Sequence, residues 1–115
     1  MTSRELNEIL LSEFPEIKTE LDDYISWQDG MDTGSFLVFE DVFMIYVYSQ
    51  LEKNNQDLLK RFIEFIEKIY VLHDDYATNV ITVGVLENVK CSTFSDMVYN
   101  ALLPETKKEY EEIQI

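Results

Sequence analysis

The segment QDLLKRFIEFIEKIYVL, residues 56–72, decides the fold class. Drawn as a helix at about 100° per residue, its charged side chains fall within one arc of about 120°. They are Asp57, Lys60, Arg61, Glu64, Glu67 and Lys68. The other side chains of residues 58–72 are aliphatic or aromatic, and the period of a strand does not explain their order. The segment therefore predicts an amphipathic helix, with Asn55 as its N-cap.

Helix start signals also precede this segment. Thr2 and Glu5 have the spacing of a capping box, which predicts a first helix from Ser3 to Glu13. Pro15 suits the first turn of a second helix, which its apolar spacing extends to about Trp27. The N-terminal region is therefore expected to form two amphipathic helices.

Two apolar segments, residues 36–53 and 76–89, are ambiguous between helix and strand. Both are rich in Val, Ile, Phe and Tyr, which favours strands by propensity. Neither alternates cleanly and both exceed ordinary strand length, and Glu40 with Asp41 interrupts the first at helical spacing. We interpret both as central buried helices, and the sequence leaves strands as the alternative.

The chain closes with helices predicted near Thr93–Leu102 and from Pro104 onward. With 115 residues and 46% hydrophobic content, it is long enough for one core and too short for two ordinary domains. We therefore predict an all-α fold, a single domain of residues 1–115 with six or seven helices. A bundle and a short HEAT-like stack of helical hairpins both fit.

Charge is the most unusual global property, with a formal net charge of −14. Half of it lies in residues 1–32, where nine acidic residues and two basic ones give a net charge of −7. A field of this sign repels nucleic acids and anionic lipids and attracts cationic partners. The sequence thus favours a basic protein partner over nucleic acid or a membrane. Acidity that serves only solubility is the alternative.

The segment WQDGMDTGSF, residues 27–36, contains three sequence patterns that require interpretation. Its D-T-G-S tetrapeptide matches that of aspartic proteases, but the apolar strand and paired carboxylate that such a site needs are not predicted. The acids of residues 22–32 could bind a cation weakly, although EF-hand spacing is absent. We expect a turn at Asp29-Gly30, followed by a helix capped by Asp32, Thr33 or Ser35.

The remaining catalytic inventory is small. His73, the single histidine, is expected to interact with the carbonyl end of its helix, and Cys91, the single cysteine, has no disulfide partner. No phosphate-binding glycine motif is present. We predict a non-enzyme with no catalytic, cofactor-binding or metal-binding residues. With no apolar run of about 20 residues and no secretory signal, the chain is expected in the cytoplasm.

The only tryptophan, Trp27, lies among the acids of this region. Its ring is expected to pack partly against the core, although tryptophan is also enriched at binding hot spots. If the acids bind a partner, Trp27 is the expected anchor. The predicted partner-binding residues are Glu20, Asp22, Asp23, Trp27, Asp29 and Asp32.

Several strings together resemble a family of uncharacterised small acidic helical proteins of bacteria. They are EFPEIKTELDDYISWQDG at 13–30, EDVF at 40–43, the stretch from Ile63 to Val89, and LLPETKKEYEEI at 102–113. Proteins of this sort resemble the immunity partners of polymorphic toxins. The resemblance implies a protein that masks a toxin domain in the cytoplasm, and it assigns no catalytic residue.

Three functional hypotheses follow from the sequence. The first is a binding protein of immunity or antitoxin type, which masks a basic toxin or nuclease through its acidic face. The alternative is a helical scaffold or adaptor whose acidity is only for solubility. The third is a small hydrolase that depends on Asp32 or His73. The oligomeric state is not predicted.

Overall fold

The computed structural model describes residues 1–114, which form seven helices and no strand. The prediction of an all-α fold is confirmed, and both ambiguous segments are helical. The helices are α1 (Ser3–Glu13), α2 (Lys18–Ser26), α3 (35–52), α4 (Gln56–Tyr70), α5 (75–90), α6 (Ser95–Ala101) and α7 (Pro104–Glu112). Short 3₁₀ turns at Pro15–Ile17 and Gly30–Asp32 flank α2.

The predicted caps of α1 and α4 are present. The backbone N–H of Glu5 donates to Thr2 Oγ1 at 3.1 Å, and the N–H of Thr2 donates to Glu5 Oε1 at 2.9 Å. Asn55 Oδ1 accepts the N–H of Leu58 at 3.0 Å. Each cap satisfies amide groups that have no partner inside their own helix, which explains where both helices begin.

Helix α4 occupies the centre of the fold. It contacts α3, α5, α6 and α7, so the end of the chain returns to the same helix that its middle packs against. An open stack of hairpins would limit contacts to successive units. The contacts therefore make the fold a bundle around α4.

Five phenylalanines form the densest part of the core. The ring of Phe43 lies 4.9 Å from that of Phe14, 5.8 Å from Phe62 and 5.7 Å from Phe65, between centroids. Phe39 packs edge-on against Phe43 at 5.5 Å. These tilted and edge-to-face arrangements suit the charge distribution of aromatic rings. The cluster joins the end of α1 to α3 and α4.

Helices α3 and α5 each contain a π-helical segment, Phe39–Phe43 and Val80–Glu87, and the two segments contact each other. A π turn holds more residues than an α turn, so successive side chains are offset around the helix axis. The sequence of such a segment then shows neither the repeat of an α-helix nor the alternation of a strand. This explains why these two segments were ambiguous in sequence.

A buried amide holds the D-T-G-S loop against α1. Asn7 Nδ2 donates to the carbonyl oxygens of Met31 at 3.1 Å and Thr33 at 2.8 Å. Asn7 Oδ1 accepts the hydroxyl of Ser35 at 2.9 Å. Tyr76, from α5, accepts the backbone N–H of Ser35 at 3.0 Å. Since Asn7, Thr33 and Ser35 are buried, the loop is fixed to two helices by bonds that water cannot replace.

The turn at Asp29-Gly30 is present, with Gly30 at a φ of 59°. The expected side-chain cap is wrong: Gly34 is the N-cap of α3, and no side chain caps that end. Thr33 Oγ1 instead accepts the N–H of Asp29 at 3.1 Å and donates to the carbonyl oxygen of Gly30 at 2.7 Å. The Thr33 hydroxyl therefore closes the turn and does not cap α3.

Replacing the buried amide tests the loop's role in stability. Asn7→Ala removes the donor that two carbonyl oxygens share and one of the two acceptors of the Ser35 hydroxyl, so we expect a loss of about 2–4 kcal/mol in the free energy of unfolding. Glu8→Ala, an exposed change one position along α1, should cost less than about 0.5 kcal/mol. Urea unfolding of both variants with unchanged m-values measures the difference. Equal stability of the two would contradict this role.

Candidate functional site

An open groove of about 390 Å³ lies between α2 and α3. Its floor and walls are apolar and aromatic, and carboxylates stand on both sides of it. We call it the acidic groove and define it by Ile17, Glu20, Asp23, Tyr24, Asp41, Val42, Ile45, Tyr46 and Ser49.

The spacing of residues along the two helices builds the groove. Glu20, Asp23 and Tyr24 are separated by three and four positions, so they share one face of α2. Leu21 and Ile25 of the same helix are buried in the core. The face of α2 that turns away from the core is therefore acidic where it borders α3.

Ile45 gives the groove an exposed apolar side chain. It is 62% exposed, whereas its neighbours Met44 and Val47 are completely buried. Trp27, immediately after α2, is 82% exposed. The expectation that its ring packs against the core is therefore wrong. Both large apolar side chains are left in solvent, as at many binding surfaces.

Two tyrosines connect the groove to carboxylates. The hydroxyl of Tyr24 donates to Asp41 Oδ2 at 2.6 Å, and this bond is the main reason that the pKa of Tyr24 rises to about 12. The hydroxyl of Tyr46 donates to Glu16 Oε2 at 2.7 Å, and burial followed by this bond raises the pKa of Tyr46 to about 12. Both phenols thus remain neutral donors at physiological pH.

An arginine neutralises Glu16, the carboxylate outside the groove that the hydroxyl of Tyr46 contacts. Arg61 donates to Glu16 at 2.7 Å and 3.2 Å and lies 4.7 Å from the ring centroid of Phe14. Its hydrogen bond is the largest cause that lowers the pKa of Glu16 to about 2, with a further contribution from Tyr46. Because the arginine also spans from α4 to the start of α2, this ion pair anchors the groove to the central helix.

The rim of the groove remains negative. Among the described residues, no Lys, Arg, His or terminal amine lies within 4.0 Å of the carboxylates of Glu20, Asp23 or Asp41. Three acceptors therefore border an apolar floor without a cation to balance them. Such a surface is complementary to a partner that is both basic and apolar.

The six predicted partner-binding residues are exposed, and two of them line the acidic groove. Glu20 and Asp23 lie in the groove. Asp22 is two positions from Glu20 on α2, turned away from the groove, and pairs with Lys18 at 2.5 Å. The others follow α2: Trp27 at its end and Asp29 and Asp32 in the loop, where Asp32 Oδ1 accepts Arg4 Nε at 2.9 Å.

Sequence reasoning missed the α3 side of the groove. In sequence Asp41 is marked by its interruption of an apolar run beside Glu40, and no pattern there predicts its pairing with Tyr24. Ile45 lies in an apolar run with no polar neighbour at position 44 or 46 to mark exposure. The interruption of that run by Glu40 and Asp41 was the one signal available.

The other candidate groups lie elsewhere. His73 is exposed with a φ of 55°, and its backbone N–H donates to the carbonyl oxygen of Tyr70 at 3.3 Å, while the expected contact of its imidazole with the end of α4 stays a prediction. Cys91 is an exposed free thiol. Within residues 1–114, which include the acids considered for cation binding, no three metal-ligating side chains are clustered.

A family model described as a domain of unknown function (DUF7674) matches residues 7–115. The chain belongs to this family. No similar curated protein or solved structure was found, so no function is transferred to this DUF7674 domain from a relative.

The helices of the DUF7674 domain are short or polar by the standard of a membrane span. Across residues 1–114, none combines the length and the apolar character needed to cross a bilayer. The longest, α3, contains Glu40, Asp41 and Glu52.

The Glu16–Arg61 pair predicts a specific pH dependence of stability. Because the pKa of Glu16 falls from 4.5 to about 2 on folding, its stabilisation is fully present above about pH 5 and is lost as the pH falls toward 2. Glu16→Gln removes this stabilisation. The difference in unfolding free energy between the wild type and Glu16→Gln should therefore shrink from about pH 6 to about pH 3.

Urea unfolding across this pH range measures the effect. Arg61→Met, which keeps an apolar stem over Phe14 and removes the cation, is the matched control for the other partner. The difference in unfolding free energy between Arg61→Met and the wild type should shrink over the same pH range. A constant difference for both variants would show that the ion pair does not stabilise the fold.

Proposed function

We propose that this DUF7674 domain is a non-catalytic protein-binding module that recognises a basic partner protein through the acidic groove. One observation carries the proposal: an open apolar floor, with the exposed Ile45, is bordered by three carboxylates that no described cation balances. Burial of the floor supplies affinity, and the carboxylates select for lysine and arginine.

The charge of the whole chain supports this proposal. The net charge of −14 accelerates the approach of a cationic protein and repels nucleic acids and anionic lipids. Among the six predicted partner-binding residues, Glu20 and Asp23 would contact the partner inside the groove. The outlying acids Asp22, Asp29 and Asp32 would act mainly at long range, and Trp27 would anchor the edge of the interface.

The finer form of the proposal is a protein of immunity or antitoxin type that works in the cytoplasm. Nucleases have basic substrate sites because their substrates are polyanions. An acidic groove that occupies such a site blocks the substrate by taking its place. The resemblance to immunity partners of polymorphic toxins points to the same role, and the single free thiol, Cys91, suits a reducing compartment.

A scaffold or adaptor is the second candidate, and a separate feature favours it. A groove of about 350 Å³ between α4 and the segment after α6 is lined by Leu59, Ile63, Ala101 and Leu103, together with polar side chains at its edge. A partner bound there would be held mainly by apolar contacts. Its binding would respond weakly to salt.

Charge reversal tests which acids matter. Glu20→Lys combined with Asp23→Lys changes the groove, whereas Asp22→Lys combined with Asp29→Lys makes the same change in net charge outside it. With the partner captured from the source cell, we expect the groove variant to associate at least about tenfold more slowly at low salt. The association rate of the control variant should fall less than about threefold.

Surface plasmon resonance at several salt concentrations gives both the rates and their salt dependence. The groove variant should also have a flatter salt dependence than the wild type. Equal losses in the two variants would assign recognition to the overall field and not to the groove. Salt-insensitive binding, unchanged in both, would favour the scaffold hypothesis.

A further inference from the structure

The acidic groove has a distinct cross-section. Its aliphatic lining consists of Ile17, Val42 and Ile45, of which Ile45 is the most exposed. On one side, α2 supplies Glu20 and Asp23, and on the other, α3 supplies Asp41. The complementary surface is an apolar stripe with a cation on each side. This is the cross-section of a basic amphipathic helix.

The groove offers no backbone groups for an extended peptide to pair with. Both of its walls are helices, whose interior N–H and C=O groups are bonded within the helix, and residues 1–114 contain no strand edge. An extended segment on the apolar floor would bury backbone amides without hydrogen-bond partners, which is energetically unfavourable for each amide. A helix satisfies its own backbone, so it can lie there without this cost.

The length of the groove sets the length of the contact. Its α3 wall runs from Asp41 to Ser49, eight residues further along the helix, or about 12 Å at the rise of an α-helix. This corresponds to about two helical turns. An occupant would therefore place apolar side chains at positions i, i+3 or i+4, and i+7 against the floor.

We propose that the acidic groove binds an amphipathic α-helix of the basic partner, with an apolar stripe of two turns on Ile45 and lysine or arginine on both flanks. This rests on the proposed function and specifies the segment that is recognised. A second copy of the chain is a poor occupant because each copy has a net charge of −14. An anionic membrane is repelled for the same reason.

Synthetic peptides test the inference on the full chain. The probe is a helical peptide with leucine at i, i+3, i+4 and i+7 and lysine at the flanking positions. The control peptide has the same composition in an order that gives no apolar face. Binding is followed by two-dimensional NMR of the labelled protein. The amphipathic peptide should shift the resonances of residues 17–24 and 41–49 and bind at least about tenfold tighter than the control.

A matched pair of variants tests the role of the floor. Ile45→Ala should weaken binding of the amphipathic peptide about tenfold, whereas Leu72→Ala, which truncates an aliphatic side chain that is 52% exposed beyond the end of α4, should not change it. Both side chains are largely exposed in the free protein, so neither change should impair folding.

The outcomes separate this inference from the proposed function. If the two peptides bind the groove equally, recognition is by charge alone, and the helical occupant is wrong while the basic-partner proposal stands. If the amphipathic peptide instead shifts the resonances of the other groove, which Leu59 and Leu103 line, both the helical occupant and the basic-partner proposal are wrong. No binding of either peptide at low salt would also overturn the helical occupant.

Discussion

The apolar face of α4 is wider than any one neighbouring helix can cover. Seven of its fifteen residues are buried, and they point toward α3, α5, α6 and α7. Burial of apolar surface is the main force that holds a domain of this size together. The packing of four helices around α4 therefore follows from its pattern, and most of its charged arc stays exposed.

This arrangement also creates the acidic groove. With α4 surrounded by other helices, α2 packs chiefly on the π-helical segment Phe39–Phe43 of α3. Leu21 and Ile25 of α2 are buried, and Glu20 and Asp23 stay exposed where the helix borders α3. The ion pair of Glu16 with Arg61 fixes the start of α2 to α4. The carboxylates of the groove are thus held by the same contacts that complete the core.

Local patterns in the sequence predicted the parts of the fold that local physics decides. The amphipathic α4, the cap at Asn55 and the capping box of Thr2 depend on residues within four positions of each other. The Asn7–Ser35 bond joins residues 28 apart, and no periodic pattern marks it. The π segments were hidden because propensity alone favours strands for their β-branched residues. The exposed Ile45 could not be seen because exposure is decided by which helices pack nearby.

The acidic groove was half visible in sequence for the same reason. Acids on α2 stand out by composition, whereas Tyr24, Asp41 and Tyr46 become a site only when α2 meets α3. Prediction from composition therefore found the acids of α2 and the loop after it, and it did not include the residues of α3 that line the groove with them. Asp22 and Asp32 of the predicted set form separate ion pairs.

Hydrogen exchange of the free protein and of its complex with the captured partner tests the central claim most directly, since it locates the partner without any substitution. The account predicts slower amide exchange in residues 17–24 and 41–49 of the complex, with α6 and α7 unchanged. Protection confined to α6, α7 and the adjoining face of α4, with the acidic groove unchanged, would contradict it.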